Sequence, residues 1–184
     1  MVVDSKGNLI VADSYNYVLR RVTPDGVVTT LAGKAGESGY VNGVGAEARL
    51  GAVRYMVIDA ADNVYFTDYS QSIRKFAANG EVSTVAGAPY ANGFVDDLGA
   101  FARFNSPAGL VLDARGNLYV ADSGNNAIRR ITPGGQVNTV VGGNSGVVSA
   151  LQPGLGGSIN QPSAIAITGA GRLIFLSEGA IVGD

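Results

Sequence analysis

Residues Pro107 to Gly143 read PAGLVLDARGNLYVADSGNNAIRRITPGGQVNTVVGG. Four short apolar runs lie in this stretch: Leu110–Leu112, Leu118–Ala121, Ala127–Thr132 and Val137–Val141. Turn signals separate them, namely Asp113-Ala114-Arg115-Gly116, Asp122-Ser123-Gly124-Asn125 and Pro133-Gly134-Gly135, and Gly142-Gly143 closes the last. Runs of β-branched and aromatic residues punctuated by Gly, Asn, Asp and Pro predict strands joined by hairpins. Four of them make one antiparallel meander, which cannot bury both faces without neighbours.

The chain supplies those neighbours. Gly7-Asn8-Leu9-Ile10-Val11-Ala12-Asp13 returns as Asp62-Asn63-Val64-Tyr65-Phe66-Thr67-Asp68 and as Gly116-Asn117-Leu118-Tyr119-Val120-Ala121-Asp122. The three Asn are 55 and 54 residues apart, and Gly33, Gly87 and Gly142 keep the same step. A weaker fourth copy is Gly171-Arg172-Leu173-Ile174-Phe175-Leu176-Ser177. A fixed period of this size marks a solenoid, propeller or array, and four strands per unit select the β-propeller.

The pattern D-x-x-G-N-L-Y-V-A-D-S-G-N-N-x-I-R-R-I-T-P-x-G, Asp113 to Gly135, closely resembles the NHL repeat. The resemblance covers three units well and a fourth in part. It implies an all-β propeller with blades at 1–33, 56–87, 107–143 and, incomplete, 162–184, joined by connectors 34–55, 88–106 and 144–161. Such families usually close with six blades, which at this period needs about 330 residues. Half a ring leaves an apolar blade face at each end, so the expected partners include further blades of the same chain or a second copy.

Composition narrows the function classes. The chain has 184 residues, 46% hydrophobic and 15% charged, which suits a soluble domain with a real core. The net charge of −2 argues against a nucleic-acid partner. Cysteine and histidine are both absent, which removes thiol chemistry, the commonest general base and the commonest transition-metal ligand. No apolar run approaches a membrane span, so no membrane partner is expected. Met1 runs straight into strand sequence, which predicts no leader and leaves the compartment open.

Two connectors match without a gap: SGYVNGVGAEARLGAVRYM (38–56) and NGFVDDLGAFARFNSPAGL (92–110). Their shared G-A-x-A-R piece predicts one helical turn, with Leu50 and Phe104 plugging it onto the blade. The third connector is Gly, Ser and Pro rich and reads as a looser loop.

Recurring polar residues give the candidate site. Asp13, Asp68 and Asp122 end strand two of each full unit and should ring one mouth of the propeller. They read either as a calcium site or general base at the channel entrance, or as acceptors for backbone N–H groups of their own turns. Arg49 and Arg103 lie on the same face. They suit an anionic partner or an inter-blade ion pair with a turn Asp. The cation pairs Arg20-Arg21, Arg74-Lys75 and Arg129-Arg130 predict blade-edge solvation and inter-blade pairing, because adjacent strand residues point to opposite faces. Asp96, Asp97 and Glu37 sit in connectors and could touch calcium, although no D-x-D-x-D-G loop is present. Tyr15, Tyr17, Tyr40, Tyr69, Tyr90 and Phe94 read either as a binding surface on the open face or as lids over the connectors.

These features favour a non-catalytic binding or scaffold module that presents a loop face to a protein or glycan, with no cofactor. The alternative is a lactonase-like hydrolase or lyase with a metal in the central channel, as some similar six-bladed propellers are, its key residues lying partly outside this chain. The amidating-lyase type uses histidines on zinc, and none is present here. A calcium-dependent lactonase would need unrepeated residues at the mouth, for which Glu178 and Asn160 are the candidates. Enzyme sites break repeat symmetry, whereas scaffold faces largely keep it.

Overall fold

The computed structural model describes residues 1–143, 159–177 and 180–182. Its first sheet holds β1 (Val2–Val3), β2 (Leu9–Asp13), β3 (Val18–Val22) and β4 (Val28–Ala32) in sequential antiparallel order. The second holds β5 (Gly43–Val44), β6 (Tyr55–Ile58), β7 (Val64–Thr67), β8 (Ser72–Phe76) and β9 (Glu81–Gly87). The third holds β10 (Pro107–Leu112), β11 (Leu118–Asp122), β12 (Ala127–Ile131) and β13 (Val137–Gly142). The fourth holds β14 (Ala164–Ile167), β15 (Leu173–Ser177) and β16 (Ala180–Val182). The first strands of successive sheets lie side by side, β1 against β6, β6 against β10 and β10 against β14. The sheets are therefore the blades of a propeller arc, and each blade begins at the inner edge.

The second sheet has five strands because the connector contributes one. β5 pairs with β9 on the outer edge of blade two before the chain returns inward to β6. That inner strand begins at Tyr55, one residue before the expected blade boundary. The predicted helical turns are present as short 3-10 turns at Gly45–Glu47 and Gly99–Phe101. Leu50 and Phe104 are fully buried behind them, as expected. Connector residues 144–158, read as a looser loop, lie outside the described residues.

Alternation along each strand builds the core between blades. Leu118 and Val120 join Ile73, Ala86 and Phe104 in the seam between blades two and three. Their neighbour Ala121 faces the other way, joining Ile128, Val141 and Phe175 between blades three and four. The seam between blades one and two gathers Ile10, Leu19, Leu50, Val64 and Phe66. Blades two and three thus have two interior faces, which is why their strands are apolar on both sides. Among the described residues no helix is long and apolar enough to cross a membrane.

The glycines that close the outer strands are sterically fixed. Gly87 has φ +85°, and a Cβ there would lie 2.8 Å from the Gln71 carbonyl oxygen. Gly36 has φ +79° but open space around it. Gly87→Ala should therefore cost about 2–4 kcal/mol and Gly36→Ala about 1 kcal/mol, read from urea unfolding midpoints.

Candidate functional site

The end of each second strand and the middle of each third strand form one unit. The chain of β12 shifts register against β13 between Ile128 and Arg129, and β8 does the same against β9 between Ile73 and Arg74. Such a bulge re-aims the following side chain. Arg129 is fully buried, and its Nη1 donates to Asp122 Oδ2 at 2.8 Å. The same guanidinium donates to the carbonyls of Arg103 (3.0 Å) and Val95 (2.7 Å) in the incoming connector. It lies between the rings of Phe94 and Phe104, 4.8 and 5.0 Å from their centroids. Blade two repeats the device. Arg74 donates to the carbonyls of Arg49 (2.8 Å) and Val41 (2.9 Å), with its Nη1 3.8 Å from Asp68 Oδ2.

This corrects the reading of the cation pairs. Arg74 and Arg129 do not solvate a blade edge, because both faces of a middle blade are interior and a buried cation must find acceptors. It also limits what the carboxylates offer. Asp68 and Asp122 do not ring an open mouth, being 1% and 0% exposed. Asp68 accepts from the Ser70 and Gly51 N–H groups. Asp122 accepts from the Asn105 N–H, the Asn125 amide and Arg129. The own-turn reading therefore describes Asp68 in part, through the Ser70 N–H, and Asp122 only through the Asn125 side-chain amide, while the other bonds reach to connectors and to strand three. Burial pushes both carboxyls up in pKa, against the lowering effect of these donors.

In blade one the same pair is partly open. Arg20 Nε donates to Asp13 Oδ2 at 2.7 Å, with side chains 32% and 28% exposed. Arg20 and the Asn16 amide hold the Asp13 carboxyl below the usual range.

Arg49 and Arg103 do not pair with a neighbouring turn Asp. Arg49 pairs with Glu37 at 3.0 Å and donates to the Ala46 and Ala48 carbonyls. Arg103 donates to the carbonyls of Ala100 and Ala102. The 3-10 turns leave these carbonyls without backbone donors, and the adjacent guanidinium supplies them. The connector acids are engaged as well. Asp96 accepts from Arg129 and Thr139, and Glu37 also binds Lys34. Asn160 exchanges hydrogen bonds with Ser177, while Glu178 lies outside the described residues.

The tyrosines behave differently. Tyr15, Tyr69 and Tyr90 are 96%, 60% and 75% exposed. Ser14 Oγ donates to the Val53 carbonyl, so the turn carrying Tyr15 abuts the segment carrying Arg54. The Arg54 guanidinium lies 5.2 Å from the Tyr69 ring centroid and 5.9 Å from that of Tyr55. The Tyr90 N–H donates to the Ser70 carbonyl, and its ring meets Tyr40 edge-on at 4.8 Å. Arg54 thus meets Tyr55 and Tyr69 at one point, and the Tyr40–Tyr90 pair is joined to the Tyr69 turn through Ser70. Phe94 belongs to the Arg129 clamp instead. Sequence reasoning missed Arg54. The available signal was a break in the repeat, since Ala108 and Ser163 occupy its place in the next two units.

Residues 104–131 match the family model of the NHL repeat. One NHL repeat is thus matched, in a chain with a β-propeller fold. No curated protein matches it. It is similar to a protein of unknown function from Bacteroides thetaiotaomicron, with TM-score 0.71 and 24% identity over 95% of this chain and 43% of that one. An auxiliary nutrient binding protein from the same organism has TM-score 0.70 and 18% identity, over 93% and 43%. Virginiamycin B lyase from Staphylococcus aureus has TM-score 0.62 and 16% identity, over 96% and 47%. The chain therefore spans less than half the length of these structures, and the likeness is one of fold.

Two consequences follow for stability. Asp122→Ala removes the buried one of the two carboxylates on Arg129, leaving Asp96, and takes the acceptor from the Asn105 N–H and the Asn125 amide; it should cost about 2–4 kcal/mol in urea unfolding, against less than about 1 kcal/mol for Asp13→Ala at its partly exposed pair. Because the Asp13 carboxyl is lowered on folding, its contribution is present above the ordinary carboxylate value and lost as pH falls through the lowered one. The stability gap between the wild type and Asp13→Asn should therefore shrink as urea titrations move from pH 7 to pH 3.

Proposed function

We propose that this NHL segment is a non-catalytic binding module whose partner, a glycan or protein, docks on the tyrosine surface over blades one and two. The observation that carries this reading is the exposure of Tyr15, Tyr69 and Tyr90 on turns whose backbone groups are already tied down. Tyr supplies a broad, rigid contact area with an apolar face and a polar tip, at little conformational cost. The recurring charged groups, in contrast, hold blades and connectors together. The nutrient-binding neighbour agrees with the reading at the level of fold.

The lactonase- or lyase-like alternative draws support from the lyase neighbour. Its mouth carboxylates would have to come from outside the Asp68 and Asp122 positions, whose oxygens already accept N–H donors. Calcium at those positions would compete with buried hydrogen bonds.

The test is a Tyr15→Ser, Tyr69→Ser, Tyr90→Ser triple variant, screened beside the wild type on glycan and peptide arrays. Aromatic anchors dominate such interfaces, so ligands retained by the wild type should bind the variant at least about tenfold more weakly, with Tm unchanged within about 2 °C. Unchanged binding by the variant would place the partner elsewhere.

A further inference from the structure

Repeat symmetry gives an internal reference for what each position does when it serves only the fold. Position Ser14 recurs as Tyr69 and then as Ser123. Ser14 Oγ donates to the Val53 carbonyl of the next blade at 2.6 Å, and Ser123 Oγ donates to the Pro162 carbonyl. Val53, Pro107 and Pro162 are themselves matched positions. Blade two should then carry a serine bonded to Pro107. It carries Tyr69, which is 60% exposed and lies against Arg54. An inter-blade tie has been replaced by an aromatic ring at the surface.

The partners of that ring break the repeat too. Arg54 stands where Ala108 and Ser163 stand in the next units, and Tyr55 stands where Gly109 and Ala164 stand. Three substitutions away from the repeat therefore meet at one point. The point is the start of β6, the inner strand of blade two, on the side where strands two and three turn. The ion pairs among the described residues use Arg20, Lys34, Arg49, Arg74 and Arg129, not Arg54. The Arg54 backbone N–H is bonded to the Thr67 carbonyl, so its exposed side chain extends from a fixed backbone.

We infer that Arg54, Tyr55 and Tyr69 form a subsite for an acidic sugar, a carboxylate-bearing unit of a glycan. The inference rests on the binding-module reading above and names the ligand class of that surface. A guanidinium fork takes a carboxylate through two parallel hydrogen bonds. Stacking on Tyr69 orients that fork and leaves its donor edge free. The flanking rings offer flat apolar faces to the C–H face of the sugar. A peptide strand is less well served. It would seek unpaired backbone groups, and the Arg54, Tyr90 and Gly51 N–H groups are all bonded within the chain.

The experiment is calorimetric titration of the intact chain with a galacturonic-acid oligomer and with its methyl ester, which has the same rings without the charge. The acid should bind, and the ester should bind at least tenfold more weakly. Arg54→Gln should reduce acid binding to the ester's level, and Arg54→Lys should lose several-fold because the planar fork is gone. Tyr69→Ser, which restores the repeat, should weaken both glycans while leaving Tm unchanged or slightly raised. Equal binding of acid and ester, or an acid preference that survives Arg54→Gln, would overturn the acidic-sugar assignment while leaving the tyrosine surface standing. So would tighter binding of an oligoglutamate peptide, which would point to a protein partner. Binding of neither glycan would also overturn it, and the array comparison of the tyrosine triple variant would then decide the broader reading separately.

Discussion

Burying a guanidinium in the middle of a β-blade is the constraint on which this structure turns. Arg74 and Arg129 have no access to water, so every donor needs an acceptor inside the protein. The acceptors come from three places, one of them a connector side chain, Asn42 for Arg74 and Asp96 for Arg129. Another is the carboxylate at the end of the preceding strand, hydrogen-bonded in the case of Asp122 and an ion pair at 3.8 Å in the case of Asp68. The third is a pair of connector carbonyls, Val41 and Arg49 in one case, Val95 and Arg103 in the other. Without such a charge, the connector between blades would be an irregular segment with orphan carbonyls. With it, the connector is stapled to the blade it enters, and the 3-10 turn that buries Leu50 or Phe104 is held in place.

A buried ion pair is weak evidence for net stability, since desolvation offsets much of the attraction. Its effect here is better described as positional. An apolar residue in place of Arg129 could fill the volume but could not fix where Val95 and Arg103 lie. The register shift beside each of these arginines serves the same end, because it turns the side chain toward the connector. Blade one shows the device with fewer partners. Arg20 keeps its bond to Asp13 and adds only Thr30, and both charges remain about a third exposed.

Once the repeated charges are assigned to the scaffold, departures from the repeat gain meaning. Ser14 and Ser123 tie neighbouring blades together, and Tyr69 does not. Arg54 and Tyr55 replace small residues. These changes gather at the start of β6, and the turns carrying Tyr15 and Tyr90 are hydrogen-bonded to the adjoining segments. Blades whose sequences otherwise follow one pattern thus differ in what their loops present. A propeller permits this because its turns lie outside the inter-blade core and tolerate change.

The amino-acid sequence by itself determined the period, the four-strand unit, the propeller class and the burial of Leu50 and Phe104. These rest on local alternation, turn chemistry and spacing, all of which are written linearly along the chain. It also determined that Tyr15, Tyr69 and Tyr90 sit in turns. Only the tertiary structure decided that Asp68 and Asp122 face inward and that Arg74 and Arg129 clamp connectors. A strand's two faces look alike in sequence, and whether each meets water or another blade depends on residues a whole unit away, as Ile10 is from Val64. The same holds for Arg54. Its contact with Tyr69 joins the start of β6 to the turn after β7, which the pairing of those two strands brings together, and the sequence recorded it merely as a break in the repeat.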